Sequence, residues 1–330
     1  MSVADWAPTA SLDALRFRAE RMAAVRQFFA ERQVLEVETP ILGQGGSVDP
    51  LLDSLQVEAQ LSGRRQRLWL QTSPEFHMKR LLAAGSGPIF QIAHAFRDAE
   101  VGQRHNIEFT LLEWYQPGYG LELLREECVE LVERVLGKPV SLSVHRYRAL
   151  FEQWLELDPF TAETSHLAAR AAEVGGMDTA GFSRDDCLDL LFSHVIEPQL
   201  GKDSGGAVAL LDAVVDYPAS QAALAKKRHD PVDGVEVAAR FELYWQGVEL
   251  ANGYDELADA TEQAARFEED NALRAQLGKP QVDSDQRLLA ALGAGMPACS
   301  GVALGLDRLI MLAAGERRLD QVIAFPTERA

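Results

Sequence analysis

Residues 96–115 read FRDAEVGQRHNIEFTLLEWY. The runs on either side of the polar stretch DAEVGQRHN, PIFQIAHAFR at 88–97 and IEFTLLEWYQ at 107–116, are strand-like and predict a long antiparallel hairpin. In an extended strand, side chains alternate between faces. Phe109, Leu111, Glu113 and Tyr115 therefore point one way and Thr110, Leu112 and Trp114 the other. A carboxylate on an otherwise apolar face needs a partner, or else it is the solvated charge of an amphipathic strand; the pattern leaves both readings open. Arg97, ending the preceding strand, is open to the same pair of readings.

Moving outward, a second strand pair spans about Glu236 to Leu257 and turns near Gln246-Gly247, so that RFELYWQGVELANGYDEL sets Glu242, Glu249 and Glu256 in adjacent strands. Carboxylates that converge suit Mg²⁺ with phosphates, or a cationic substrate; scattered, they are solvated strand charges. CSGVALGLDRLIMLAAG, from residue 299, turns from strand to helix through glycines and puts Arg308 in the first helical turn. A cation there opposes the helix dipole unless an anion lies nearby. Ser11 is an N-cap for a helix in which Leu12, Leu15, Met22, Val25, Phe28 and Phe29 recur at helical spacing to about Gln33. VLEVETPIL, from residue 34, reads as an edge or interface strand in which Pro40 removes a donor, and residues 44–50 as a loop. RLWLQT at 67–72 reads as a strand and Pro74 to about Ala84 as a helix. Leu121 to Leu136 is an amphipathic helix, helical pattern fills about 146–197 before a Gly-rich interruption at 201–206, and further helices are predicted at about 261–277 and 284–294. Antiparallel strand pairs separated by helices predict one α+β domain over residues 1–330, not an alternating βαβ sheet.

The chain of 330 residues carries 32 Lys+Arg against 50 Asp+Glu, a formal charge of −18, which argues against a protein that grips phosphate backbones. Hydrophobic content of 47% and charged content of 25% are those of an ordinary globular chain. Cys128, Cys187 and Cys299 show no CxxC spacing, which predicts no disulfide framework and a reducing compartment. Cys128 shares an apolar face with Leu124, Leu131 and Val135 and reads as core, as does Cys299. The first thirty residues have scattered charge and do not read as a signal peptide, and no apolar run approaches the roughly 20 residues that span a bilayer, so a cytoplasmic protein is expected. The seven histidines lack HExxH-like spacing, which argues against zinc. RRQR at 64–67 reads as a solvated strand end, or as a contact for a protein or RNA.

Taken together, these segments resemble the class II aminoacyl-tRNA synthetases, specifically the lysyl branch. VLEVETPIL after a long helix is similar to motif 1, FRDAEVGQRHNIEF to motif 2 and GVALGLDRL to motif 3, while TSPEFHMKRLL and ELANGYDEL are similar to the branch's amino-acid-binding segments. The order is correct and the likeness runs from about residue 12 to the C-terminus. TSPEFHMKR, HNIEFTLLEWY and CSGVALGLDR are most similar to the short members that act on translation elongation factor P. The resemblance implies a class II catalytic domain with an antiparallel sheet flanked by helices, dimeric through the motif 1 helix and strand. At this length the motifs leave no room for an N-terminal anticodon-binding domain, which argues against tRNA as acceptor.

By the same resemblance, the chemistry is ATP-dependent. Arg97 holds the α-phosphate and Arg308 the γ-phosphate, Phe109 stacks on adenine, and Asp98, Ala99, His105, Asn106, Glu249, Leu250 and Gly305 line the nucleotide. Glu242 and Glu249 hold Mg²⁺. Ser73, Pro74, Glu75, Glu113, Tyr115, Asn252, Glu256 and Ala303 form the pocket for (R)-β-lysine or lysine, whose ammonium groups match the three carboxylates among them. The catalytic set is Arg97, Arg308 and Glu249. Ala303 stands where lysyl-tRNA synthetases are expected to carry glycine, and its methyl narrows the pocket beside the α-carbon. Ala99 stands where motif 2 usually has Glu, leaving Glu100 or a backbone carbonyl to meet the adenine amino group. The alternatives are a truncated synthetase acting on tRNA or another carrier, and a silent synthetase-like regulator; retention of Arg97, Arg308, Glu242 and Glu249 argues against silence.

Overall fold

The computed structural model describes residues 6–202 and 206–330. The chain forms two compact units. The first runs up to Tyr119 and resumes at Leu257 to the C-terminal Ala330; the second is Gly120–Glu256. Within the Gly-rich interruption expected at 201–206, positions 203–205 lie outside the described residues.

The first unit opens with α1 (Leu12–Glu31), where the Ser11 hydroxyl accepts the Ala14 amide at 3.1 Å, as expected of an N-cap. Its buried face is Val25, Phe28 and Phe29, and Phe29 stacks on Phe90 at 4.4 Å and meets Trp114 at 5.4 Å between ring centroids. The single strand expected over VLEVETPIL is instead two fragments, β1 (Leu35–Glu36) and β2 (Leu42–Gly43), in different sheets. Pro40, which cannot donate to a ladder, lies where the chain leaves one sheet for the other. A small sheet of order β2-β4-β3 contains β3 (Gln56–Leu61) and β4 (Arg64–Leu70), joined through Ser62 and Gly63 at φ 50° and 79°. Arg64, Arg65 and Arg67 open β4 as exposed, paired residues, the solvated strand end expected of RRQR. Next come α2 (Glu75–Ala83), β5 (Ile89–Phe96) and β6 (Glu108–Pro117), the last two forming the antiparallel hairpin predicted from the opening segment.

The second unit begins with α3 (Leu121–Leu136), which buries Leu124, Cys128, Leu131 and Val135 as its periodicity predicted and ends at Gly137 in the left-handed region. Burial drives the Cys128 thiol pKa well up, so this cysteine is core and not a nucleophile. There follow β7 (Val140–Arg146), α4 (Tyr147–Leu155), α5 (Thr164–Gly175), α6 (Arg184–Leu191), β8 (Ala209–Pro218), β9 (Lys227–His229), β10 (Glu236–Trp245) and β11 (Val248–Asp255). Strand order here is β11-β10-β8-β7 with β9 also on β10. Its aromatic core stacks Tyr147 on Phe192 at 5.4 Å and sets Tyr217 4.9 Å from Tyr147.

Returning to the first unit, α7 (Ala260–Gln276) and α8 (Gln286–Gly295) precede β12 (Cys299–Gly305) and α9 (Leu306–Ala313). β12 pairs antiparallel with β6, giving the order β1-β5-β6-β12. The architecture is α+β, as expected, but the pairing is mixed and not purely antiparallel, because β1 pairs with β5 and β7 with β8 in parallel. No helix among the described residues is long and apolar enough to cross a membrane.

Candidate active site

In the first unit, the registers of β5, β6 and β12 set Gln91, Glu113 and Ala303 side by side in one row across three strands. Glu113 is 1% exposed and its Oε2 accepts the Tyr115 hydroxyl at 3.2 Å, so of the two readings open for this carboxylate the buried, partnered one holds. The Ala303 methyl is on the Glu113 face, as strand pairing requires. Gln91 Oε1 accepts the Thr39 hydroxyl at 3.0 Å, a brace with no signal in the sequence pattern. Ser73 accepts the Glu75 amide at 3.1 Å and Pro74 opens α2, so these two set the helix start that carries Glu75. One turn on, Lys79 is 1% exposed and its Nζ lies 2.6 Å from Glu75 Oε1. A buried ammonium needs such a partner.

The nucleotide residues expected from motifs 2 and 3 also lie in this unit. The Arg97 guanidinium is 5.0 Å from the Phe109 ring centroid and 3.6 Å from Glu100. Asp98 Oδ1 accepts the Ala99 amide at 2.9 Å, and Ala99 adopts φ 61°, a left-handed conformation that costs an L-residue roughly 1 kcal/mol. The loop closes where Gly102 bridges His105. Arg308, following Gly305 in the first turn of α9, sets Nη2 2.6 Å from His105 Nε2. Burial, then the charge of Arg308, lowers the His105 pKa, so the imidazole is neutral with its proton on Nδ1 and Nε2 as acceptor. Asn106 is committed elsewhere: Nδ2 donates to the Glu108 carbonyl at 2.6 Å and Oδ1 accepts the Thr327 amide at 3.0 Å, bracing the C-terminal turn.

In the second unit, Arg240, Glu242 and Tyr244 of β10 lie opposite Tyr254, Asn252 and Glu249 of β11. Strict alternation would send Glu249 and Asn252 to opposite faces. A β-bulge, with Leu250 as the extra residue, brings them to the same one. Leu250 itself is buried and offers only backbone. Glu242 is saturated: Arg240 and Tyr244 contact it, and the Tyr217 hydroxyl donates at 2.5 Å. Arg240 Nε also donates to Asn252 Oδ1 at 3.0 Å, leaving Asn252 to present its NH₂ as a donor. Sequence reasoning missed Arg240; its only signal was a cation two residues before Glu242, hence on the same strand face. Glu256 is 1% exposed and bridges Ala225, and Asp255 pairs with Lys226 at 2.6 Å. Among the described residues no cluster of three or more His, Cys, Asp or Glu could hold a metal alone. Mg²⁺ ordinarily takes one or two carboxylates with substrate phosphates, and Glu249 with Glu242 fits that donor set. Glu242 would do so by exchanging its tyrosine hydrogen bonds.

A family model described as tRNA synthetases class II (D, K and N) matches residues 2–174 and 208–329. The chain is 46% identical over 330 residues to a protein of Pasteurella multocida (strain Pm70) named elongation factor P–(R)-β-lysine ligase, covering 99% of this chain and 98% of that one. It is 47% identical over 327 residues to the protein of that name from Haemophilus influenzae (strain PittGG), with 98% of each covered.

Proposed function

The chain belongs to the class II tRNA synthetases of the D, K and N type, and on that premise we propose that it is an ATP-dependent ligase. It activates (R)-β-lysine, or lysine less well, as an adenylate and passes the acyl group to a lysine ε-amine of elongation factor P. The observation that carries the amino-acid assignment is the row Gln91, Glu113, Ala303, a buried carboxylate with a methyl beside it, backed by Glu75 on α2. The acceptor assignment is supported by the names of relatives that match over nearly their whole length.

The substrate carboxylate is ionised at pH 7 and attacks the α-phosphate without a protein base, expelling pyrophosphate. Arg97 neutralises the α-phosphate and Arg308 the γ-phosphate, while Phe109 offers its ring to adenine. Neutral His105 orients the Arg308 guanidinium without adding a competing cation. Mg²⁺ held by Glu249 and Glu242 would further neutralise phosphate charge. Glu75, Glu113 and Glu256 take the ammonium groups, each pair worth roughly 4 kcal/mol at about 4 Å before desolvation is subtracted. Tyr115 holds Glu113, and the Asn252 NH₂, directed by Arg240, suits the substrate's carboxylate. In the second step the deprotonated acceptor amine attacks the acyl carbonyl and AMP leaves. We also propose a homodimer built on α1 and β1, where Leu12 is 64% and Leu35 55% exposed.

Pyrophosphate exchange across a panel of amino acids tests the first step: exchange with diamino acids alone is expected, and none with any of them would overturn the reading. Label transfer to elongation factor P in preference to tRNA tests the second.

A further inference from the structure

Arg18 on α1 has no part in the site described above, yet its side chain, only 15% exposed, packs against that of buried Asp307. Its Nη1 lies 2.6 Å from Asp307 Oδ1 as an ion pair, and its Nη2 donates to the Thr110 hydroxyl at 2.8 Å. The other carboxylate oxygen of Asp307 accepts the Thr110 amide at 2.8 Å. Three contacts thus close a ring through α1, β6 and the first turn of α9, all in the first unit.

The two residues gripped by Arg18 are chain neighbours of Phe109 and Arg308. On β6, Thr110 faces the side that packs on α1, so its neighbour Phe109 must face the other way. In α9, Asp307 suits the positive end of the helix dipole, whereas Arg308 in the same turn does not. The turn bearing the unfavourable cation is therefore tied down through its favourable neighbour. A buried ion pair gives little net stability over apolar packing, but it does fix geometry.

We propose that Arg18 is a positioning residue for ATP: it holds the adenine platform of β6 and the phosphate-binding arginine of α9 in fixed relation without touching the nucleotide. The inference rests on the ATP-ligase reading. Its test measures ATP binding by titration calorimetry and pyrophosphate exchange for the wild type, Arg18→Gln, Arg18→Lys and Thr110→Val. Arg170→Gln, which breaks an exposed pair with Glu173 on α5, a helix that carries no residue assigned to the site, is the control.

Arg18→Gln is expected to raise the Kd and KM for ATP at least tenfold and to leave the amino-acid KM within twofold. Arg18→Lys, which keeps the pair with Asp307 but not the fork to Thr110, should recover part of that loss. A wild type without exchange overturns the ligase reading itself. With an active wild type, an ATP Kd within twofold in Arg18→Gln overturns the positioning role, as does a fall in kcat with both KM values unchanged. If Arg18→Gln does not fold, Thr110→Val carries the test: about a threefold rise in ATP KM supports the clamp and an unchanged one overturns it.

Discussion

At the residue scale, carboxylates of the same type have different fates because of what touches them. Glu242 accepts from Arg240 and two tyrosines, whereas Glu249 sits partly exposed across from Tyr244. Glu249→Gln should abolish adenylate formation with an unchanged melting temperature; near-normal exchange would refute its assignment to Mg²⁺. Glu242→Gln should in addition lose about 3–5 kcal/mol of stability, since it leaves Arg240 buried without its counter-charge, and urea melts check that difference. Ala303 makes a finer distinction. Its methyl borders Glu113, and one methylene-sized change is worth about 1–3 kcal/mol of discrimination. Ala303→Gly should therefore shift kcat/KM toward α-lysine relative to β-lysine by roughly tenfold or more. A constant ratio would retire the argument.

At the element scale, what could be read in advance was what local pattern dictates. α3 was legible because an apolar stripe and Gly137 define it, and the β5–β6 hairpin because apolar runs flank a polar loop. β3 was not, because five of its six residues are exposed and no alternation survives. β7 and β8 pair in parallel with much intervening chain, a contact no short window contains. The site divides in the same way. Charged motif residues were legible, but Gln91 and Arg240 act through tertiary partners, and the bulge at Leu250 is invisible to strict alternation. That bulged strand also carries Gly253, where an added Cβ would lie 2.4 Å from the ring of fully buried Phe241. Gly253→Ala should cost about 1–3 kcal/mol in a urea melt, as overpacking does, and should raise the amino-acid KM because Asn252 and Glu256 move with the strand. A stable variant with normal KM would show that β11 tolerates the shift.

At the scale of the whole molecule, the surplus of 18 negative charges and the carboxyls whose pKa the fold shifts act together on stability. Burial, reinforced by Asp185, raises Asp189 to about 6, and burial with Asp49 raises Asp270 to about 6. A carboxyl whose folded pKa exceeds its unfolded one contributes stability that is full below about 3.8 and is lost as pH rises through about 6. Asp53, lowered chiefly by its hydrogen bond from Lys279, has the opposite sign: its contribution is present above about 3.8 and is lost below. The two trends cross between about pH 4 and 6, where falling net charge also relieves self-repulsion. The melting temperature should therefore be higher at pH 6 than at pH 8 and fall again below about pH 4. Asp189→Asn isolates one part of this, because its amide oxygen can still accept the Gln221 Nε2–H that Asp189 accepts at 2.8 Å. A rise from 3.8 to about 6 sets a ceiling near 3 kcal/mol, so about 1–2 kcal/mol of added stability at pH 8 is expected after solvent screening. The variant should also melt with a shallower dependence on pH between 4 and 6. If its stability at pH 8 is unchanged or lower and the slope persists, the acid stabilisation arises from diffuse surface repulsion and not from this carboxyl. Added salt would then raise the wild-type melting temperature at pH 8 by as much as acid does.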